Sequence, residues 1–172
     1  LDQANPPRPL IRRRLAAARP QWQAYLIGAP CWGVQMALSA ALGLYLRDDL
    51  QTSHAPEVLL LYFLGGLLSW PFVLPVGLFF AHGRAPETRF ASFFVVLAAG
   101  TVAMTAFLFA LDYRFFYARW HAPFGSMVWI YQFLFTSASA VYQFAVLGVR
   151  LLLPLGLLCL FTTSFLLARR MR

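Results

Sequence analysis

Gln132, Thr136, Ser139, Gln143 and Arg150 fall within about 40° of one line when the chain is wound as a helix. In an otherwise apolar stretch, such a stripe can line a water-filled path or bind an anionic headgroup, with Arg150 as the charge. It can also pack on a neighbouring helix or face interfacial water, with Arg150 reaching out toward the headgroups. No acidic residue shares the stripe, and packing is the simpler reading.

The remaining polar chemistry is sparse. His54, His82 and His121 lie in separate loops. With alternating spans, His54 and His121 share one side, so a two-histidine metal site there is conceivable, although solvated loop histidines are far commoner. Asp48, Asp49, Glu57, Glu87 and Asp112 all stand at loops or span ends. Proton-coupled transport usually wants a carboxylate within the bilayer, and none is placed there. Cys31 and Cys159 lie in apolar segments and form no CxxC pair. Phosphate-binding glycine loops, GxSxG elbows and HExxH motifs are also missing. The expectation is a non-enzymatic protein with no cofactor and no bound metal.

The elements that must position these residues are read from where charge is not. Four apolar stretches contain a single formally charged residue, Arg150, while the other arginines sit in tails and loops. With 60% hydrophobic residues and a mean hydropathy of +0.65, lipid rather than water is the solvent of this chain. The predicted fold class is all-α: a polytopic membrane protein, a four-transmembrane-helix bundle with an additional amphipathic or interfacial helix. Its 172 residues are nearly used up by four spans and short loops, which leaves no room for a soluble catalytic domain.

Residues 1–22 read as a basic, proline-rich N-terminal segment, with Leu10 to Arg19 able to form a short helix at the lipid surface. Residues 23–172 form the membrane domain, with Trp22 and Tyr25 at headgroup level. Spans are predicted at about 24–46, 58–80, 90–111 and 147–168. The first lacks an Ala-x-Ala exit and reads as a retained helix. Pro71 and Pro75 interrupt the second and predict a kink near Ser69–Pro75. Together with Gly65, Gly66 and Gly77 they suggest a broken transporter helix, but no second half carries a matching break, so the kink is read as structural.

Small residues recur at helical spacing. The first span has Ala29, Gly33, Ala37 and Ala41, and the third has Ser92, Ala99, Ala103, Ala106 and Ala110. Such stripes let helix backbones approach closely, within a bundle or between subunits.

The last stretch is overlong. From Ser126 to Ala168 no polar turn intervenes, and a straight helix there would reach roughly 64 Å, about twice the hydrocarbon core. One arrangement lets the leucine-rich end span and makes residues 126–146 an amphipathic helix on the far side or on a partner. A second reverses these roles, and a third has both segments span around a reversal at Gly148. Arginine placement favours the first. With four spans and a cytoplasmic N-terminus, only Arg47, Arg114 and Arg119 lie outside, whereas five spans would nearly equalise the two sides.

The net charge of +8 is carried entirely by arginine, and it flanks spans instead of covering a face. Topology signalling therefore explains it better than nucleic-acid binding, and arginine in place of lysine suits a GC-rich bacterial genome. The expected location is a bacterial inner membrane with both termini cytoplasmic. In size, span number and interfacial helix the chain resembles the small membrane subunit of tripartite periplasmic transporters. It lacks the tryptophan-acidic pattern before that family's second span, since Glu57 follows Ala55-Pro56 without a tryptophan. No functional residue is carried over.

The expected function is a non-catalytic integral membrane subunit that packs against a partner membrane protein or a second copy, in contact with membrane lipid. The alternative is a small oligomeric transporter or channel lined by the Gln132–Arg150 stripe. A lipid-modifying enzyme using His54, His121 or Asp112 ranks third.

Overall fold

A computed structural model describes residues 10–171, and the extreme N-terminal prolines, Arg8 and Arg172 fall outside the described residues. Within that range the chain is helical, with no strand among the described residues. The helices are α1 (Leu10–Ala17), α2 (Trp22–Tyr45), α3 (Ala55–Ala81), α4 (Pro86–Tyr117), α5 (Met127–Gln143) and α6 (Val149–Arg170). This order follows from the apolar composition, because backbone groups in lipid must be satisfied within the segment that carries them.

Local signals set the boundaries. Proline occupies the first turn of both α3 and α4, where its missing N–H costs nothing. The Ser126 hydroxyl accepts the N–H of Trp129 at 3.1 Å and caps α5. Gly83 and Gly125 take the left-handed conformation, with φ of 70° and 85°, in the loops before α4 and α5.

Four helices are long and apolar enough to cross a membrane: Trp22–Tyr45, Ala55–Ala81, Pro86–Trp120 and Met127–Leu153. The chain is thus an all-α polytopic membrane protein. Packing defines an up-and-down bundle in which α2 meets α3, α3 meets α4, α4 meets α6, and α6 returns to α2. The core holds Trp32, Met36, Trp70, Phe93, Leu97, Phe144 and Leu152, all almost fully buried.

Glycines set the closest crossings. A Cβ on Gly66 would stand 2.9 Å from the Gly33 Cα and 3.0 Å from the Trp32 carbonyl oxygen, so α2 and α3 touch backbone to backbone. A Cβ on Gly65 would run into the Thr105 hydroxyl, and one on Gly100 into Val73. Dispersion drives helix association in lipid, and it is strongest where backbones come this close.

Two stretches bear on the predicted spans. α3 is one helix, Ala55–Ala81, that contains both Pro71 and Pro75, in line with reading that stretch as structural and not as a broken helix. The helix expected over 126–146 is α5 (Met127–Gln143), and the leucine-rich helix expected over 147–168 is α6 (Val149–Arg170). No reversal occurs at Gly148. Its φ and ψ of −68° and −44° are helical, and a π turn over Phe144–Gly148 joins α5 directly to α6. Met127–Arg170 is therefore one continuous helical rod, roughly 65 Å long at the standard rise.

Candidate functional site

The polar stripe becomes the seam of a hairpin. α5 lies on the C-terminal half of α4, with the 3₁₀ turn Ala118–Trp120 and its following loop between them. The Gln132 side-chain oxygen accepts the N–H of Ala122 at 2.8 Å, and the Thr136 hydroxyl lies 3.4 Å from His121 Nε2. Gln143 Nε2 reaches the Tyr113 hydroxyl at 3.5 Å. Ser139 and Arg150 are exposed, outside these contacts. Three of the five predicted residues thus serve loop and helix groups of the same chain.

The guanidinium of Arg114 tightens the seam from the α4 side. It sits 4.1 Å from the Phe133 ring centroid and 5.6 Å from that of Trp129, over rings that themselves stack at 5.5 Å. Phe109 and Tyr62 both contact Phe144 at the π turn, where the Tyr62 hydroxyl donates to the Gly148 carbonyl.

The small-residue stripes divide between inside and outside. Gly33 is buried, and a Cβ there would lie 2.8 Å from the Phe63 carbonyl oxygen; Ala37 is half-buried. On α4 the interior face is Phe93, Leu97, Thr101 and Thr105, so Ala99 and Ala103 are exposed and Ala106 and Ala110 only half-buried. Two of the five residues of the third-span stripe thus face outward, and Ser92, Ala106 and Ala110 are half-buried.

Sequence reasoning missed the buried polar groups between helices. Trp32 Nε1 donates to the Thr101 hydroxyl at 2.9 Å, and the Ser69 hydroxyl donates to the Gly66 carbonyl at 2.8 Å. The Thr105 hydroxyl is satisfied by the Thr101 carbonyl at 2.8 Å. Ser39 is the most connected of them. Its hydroxyl lies 3.0 and 3.1 Å from the carbonyls of Leu151 and Leu152, and it accepts the N–H of Gly156 at 2.8 Å and of Leu155 at 3.3 Å. In a regular helix those two donors and two acceptors would bond one another, residue i to i−4. Ser39 from α2 thus meets α6 at the backbone of one of its turns, within an unbroken helix.

Among the described residues, no group of three His, Cys, Asp or Glu side chains could hold a metal ion. His54 Nδ1 pairs with Glu57 Oε2 at 2.9 Å on the exposed start of α3, and His121 Nε2 faces Thr136 of α5. A cavity of about 420 Å³ opens between α2, α3 and α6, where Gln21, Gln35 and Arg170 face Trp32 and Trp70. An apolar cavity of about 230 Å³ lies between α2, α4 and α6.

These features define a polytopic helical membrane protein whose polar groups mainly fasten its own helices. No protein-family model matches the chain, and neither a curated protein nor a solved structure does.

Proposed function

We propose that this chain is a non-catalytic subunit of a membrane complex, docking a partner through the outer face of the α4–α5 hairpin. The observation that carries this reading is the mismatch between α5 and the bundle. α6 is fastened between α2 and α4, and α5 continues the same rod for about five more turns, so the rod is roughly twice a ~30 Å hydrocarbon core. Its outward face is apolar: Phe135 and Tyr142 are 70% and 69% exposed. Apolar surface that outruns the hydrocarbon is best covered by another protein. The exposed Ala99 and Ala103 offer a second close-approach face on α4.

The arginine distribution supports a bacterial inner-membrane location with both ends cytoplasmic. The alternative, a small oligomeric channel, would draw on exposed Ser139 and Arg150, since Gln132, Thr136 and Gln143 are engaged within the chain.

The test is tagged purification from native membranes in mild detergent, with mass spectrometry of intact complexes. A second protein at fixed stoichiometry, lost on Phe135→Ala with Tyr142→Ala but retained by a surface control such as Thr52→Ala, is the expected result. A clean homo-oligomer would overturn the hetero-subunit reading and direct attention to Arg150-dependent flux in liposomes.

A further inference from the structure

At the opposite end of the bundle from the α5 hairpin, α4 begins and α6 ends side by side. Between them is a groove of about 360 Å³ lined by Pro86, Glu87, Arg89, Phe90, Phe161, Phe165, Ala168 and Arg169. Its two parts differ sharply in chemistry. The mouth carries two guanidinium groups, and the walls are phenyl rings.

The walls follow helix geometry. Phe161, Phe165 and Arg169 are spaced by four residues and stack along one face of α6. Phe90 answers from α4, its ring 5.1 Å from Phe161 and 5.7 Å from Phe94. Phe161 and Phe165 remain about half exposed, at 54% and 50%. The groove therefore runs inward from a charged rim along open aromatic surface.

The rim is held in place. Arg89 Nε donates to the Arg84 carbonyl at 2.7 Å, and one terminal nitrogen donates to the Met171 carbonyl at 2.8 Å. This ties α6's last turn to α4's first turn and orients a guanidinium without neutralising it. Among the described residues, the only side-chain ion pair within 4 Å is that of His54 and Glu57, so neither Arg89 nor Arg169 has an acidic partner there. Glu87 is on the rim, but two arginines outweigh it.

We infer that this groove is a binding site for one anionic phospholipid. Its phosphodiester would lie between Arg89 and Arg169, and an acyl chain along Phe165, Phe161 and Phe90. A guanidinium presents planar N–H donors matched to phosphate oxygens, and basic pockets between transmembrane helices recognise anionic headgroups. A freely dissolved anion would use the rim and leave the phenyl walls unused. A zwitterionic lipid would use the walls but bring an ammonium group toward two cations. An anionic phospholipid satisfies both parts.

The test uses the full chain purified in mild detergent and equilibrated with equimolar phosphatidylglycerol and phosphatidylcholine of identical acyl chains, read by native mass spectrometry. One arginine near the headgroup plane is worth roughly five-fold in anionic-lipid binding, so the two give a preference of at least about ten-fold. Arg169→Gln, an exposed position, is expected to cut phosphatidylglycerol retention roughly five-fold with an unchanged melting temperature. Phe165→Ala should weaken both lipids, and Arg119→Gln, at the other end of the bundle, neither. Equal retention of the two lipids would overturn the inference, as would an Arg169→Gln protein that keeps its preference. Full displacement by millimolar inorganic phosphate would also overturn it, since a simple anion site needs no acyl wall.

Discussion

The Ser39 hydroxyl accepts the backbone N–H of Gly156 at 2.8 Å, joining α2 to the middle of α6. One fully buried side chain thereby meets the backbone of a neighbouring helix. An unsatisfied backbone group in an apolar interior costs more than the hydrogen bond itself contributes, which makes this contact a fastening point of the bundle.

Replacing Ser39 by Ala should therefore destabilise the protein by about 1–3 kcal/mol, since it removes a fully buried hydrogen-bonding group that joins two helices. The measurement is a thermal melt in detergent, with Thr162→Ala as control: the Thr162 hydroxyl is exposed and bonds only to carbonyls of its own helix, 3 and 4 residues back. Equal melting of the two variants would remove Ser39 from this role.

Gly66→Ala should also cost about 1–3 kcal/mol, because the new methyl meets backbone atoms of α2 that cannot turn aside. Gly83→Ala has open space and only a positive φ of 70° to oppose it, so about 1 kcal/mol is expected. The comparison separates close packing from backbone strain. A Gly66 variant as stable as the Gly83 variant would mean that α2 and α3 do not cross at that point.

Gln132→Leu should loosen the hairpin locally. The N–H of Ala122 loses its acceptor, and hydrogen exchange over residues 118–126 should quicken while the bundle core keeps its protection. Arg114→Ala removes a cation from Phe133 and Trp129, and a loss of about 0.5–2 kcal/mol in hairpin stability is expected. Exchange that stays unchanged in both variants would show that the seam does not hold α5 in place.

Topology can be read with single cysteines in a cysteine-free background. Thr52→Cys reports the α2–α3 loop and Gly83→Cys the α3–α4 loop, which are separated by the length of α3. In intact cells an impermeant maleimide should label position 52 and spare position 83, as arginine placement predicts. The reverse pattern would invert the protein, and labelling of both would mean that α3 does not span.

The class of this protein was legible in its sequence. Helices were expected at 24–46, 58–80 and 90–111, and they occur at Trp22–Tyr45, Ala55–Ala81 and Pro86–Tyr117. Lipid offers the backbone no hydrogen bonds, so a long apolar run must become a helix whatever its neighbours are. The rotation and pairing of those helices were not legible. Hydropathy has no contrast between lipid and a neighbouring helix, and the choice of face falls to close packing and single hydrogen bonds. Hence the stripe of α4 left open whether it packs within the bundle or between subunits, and the fold turns Leu97, Thr101 and Thr105 inward while Ala99 and Ala103 stay exposed. Ser39 with Gly156, or Arg89 with Arg169, are far apart in sequence and share no motif. Only the folded chain, by running α6 back between α2 and α4, brings each pair to one place.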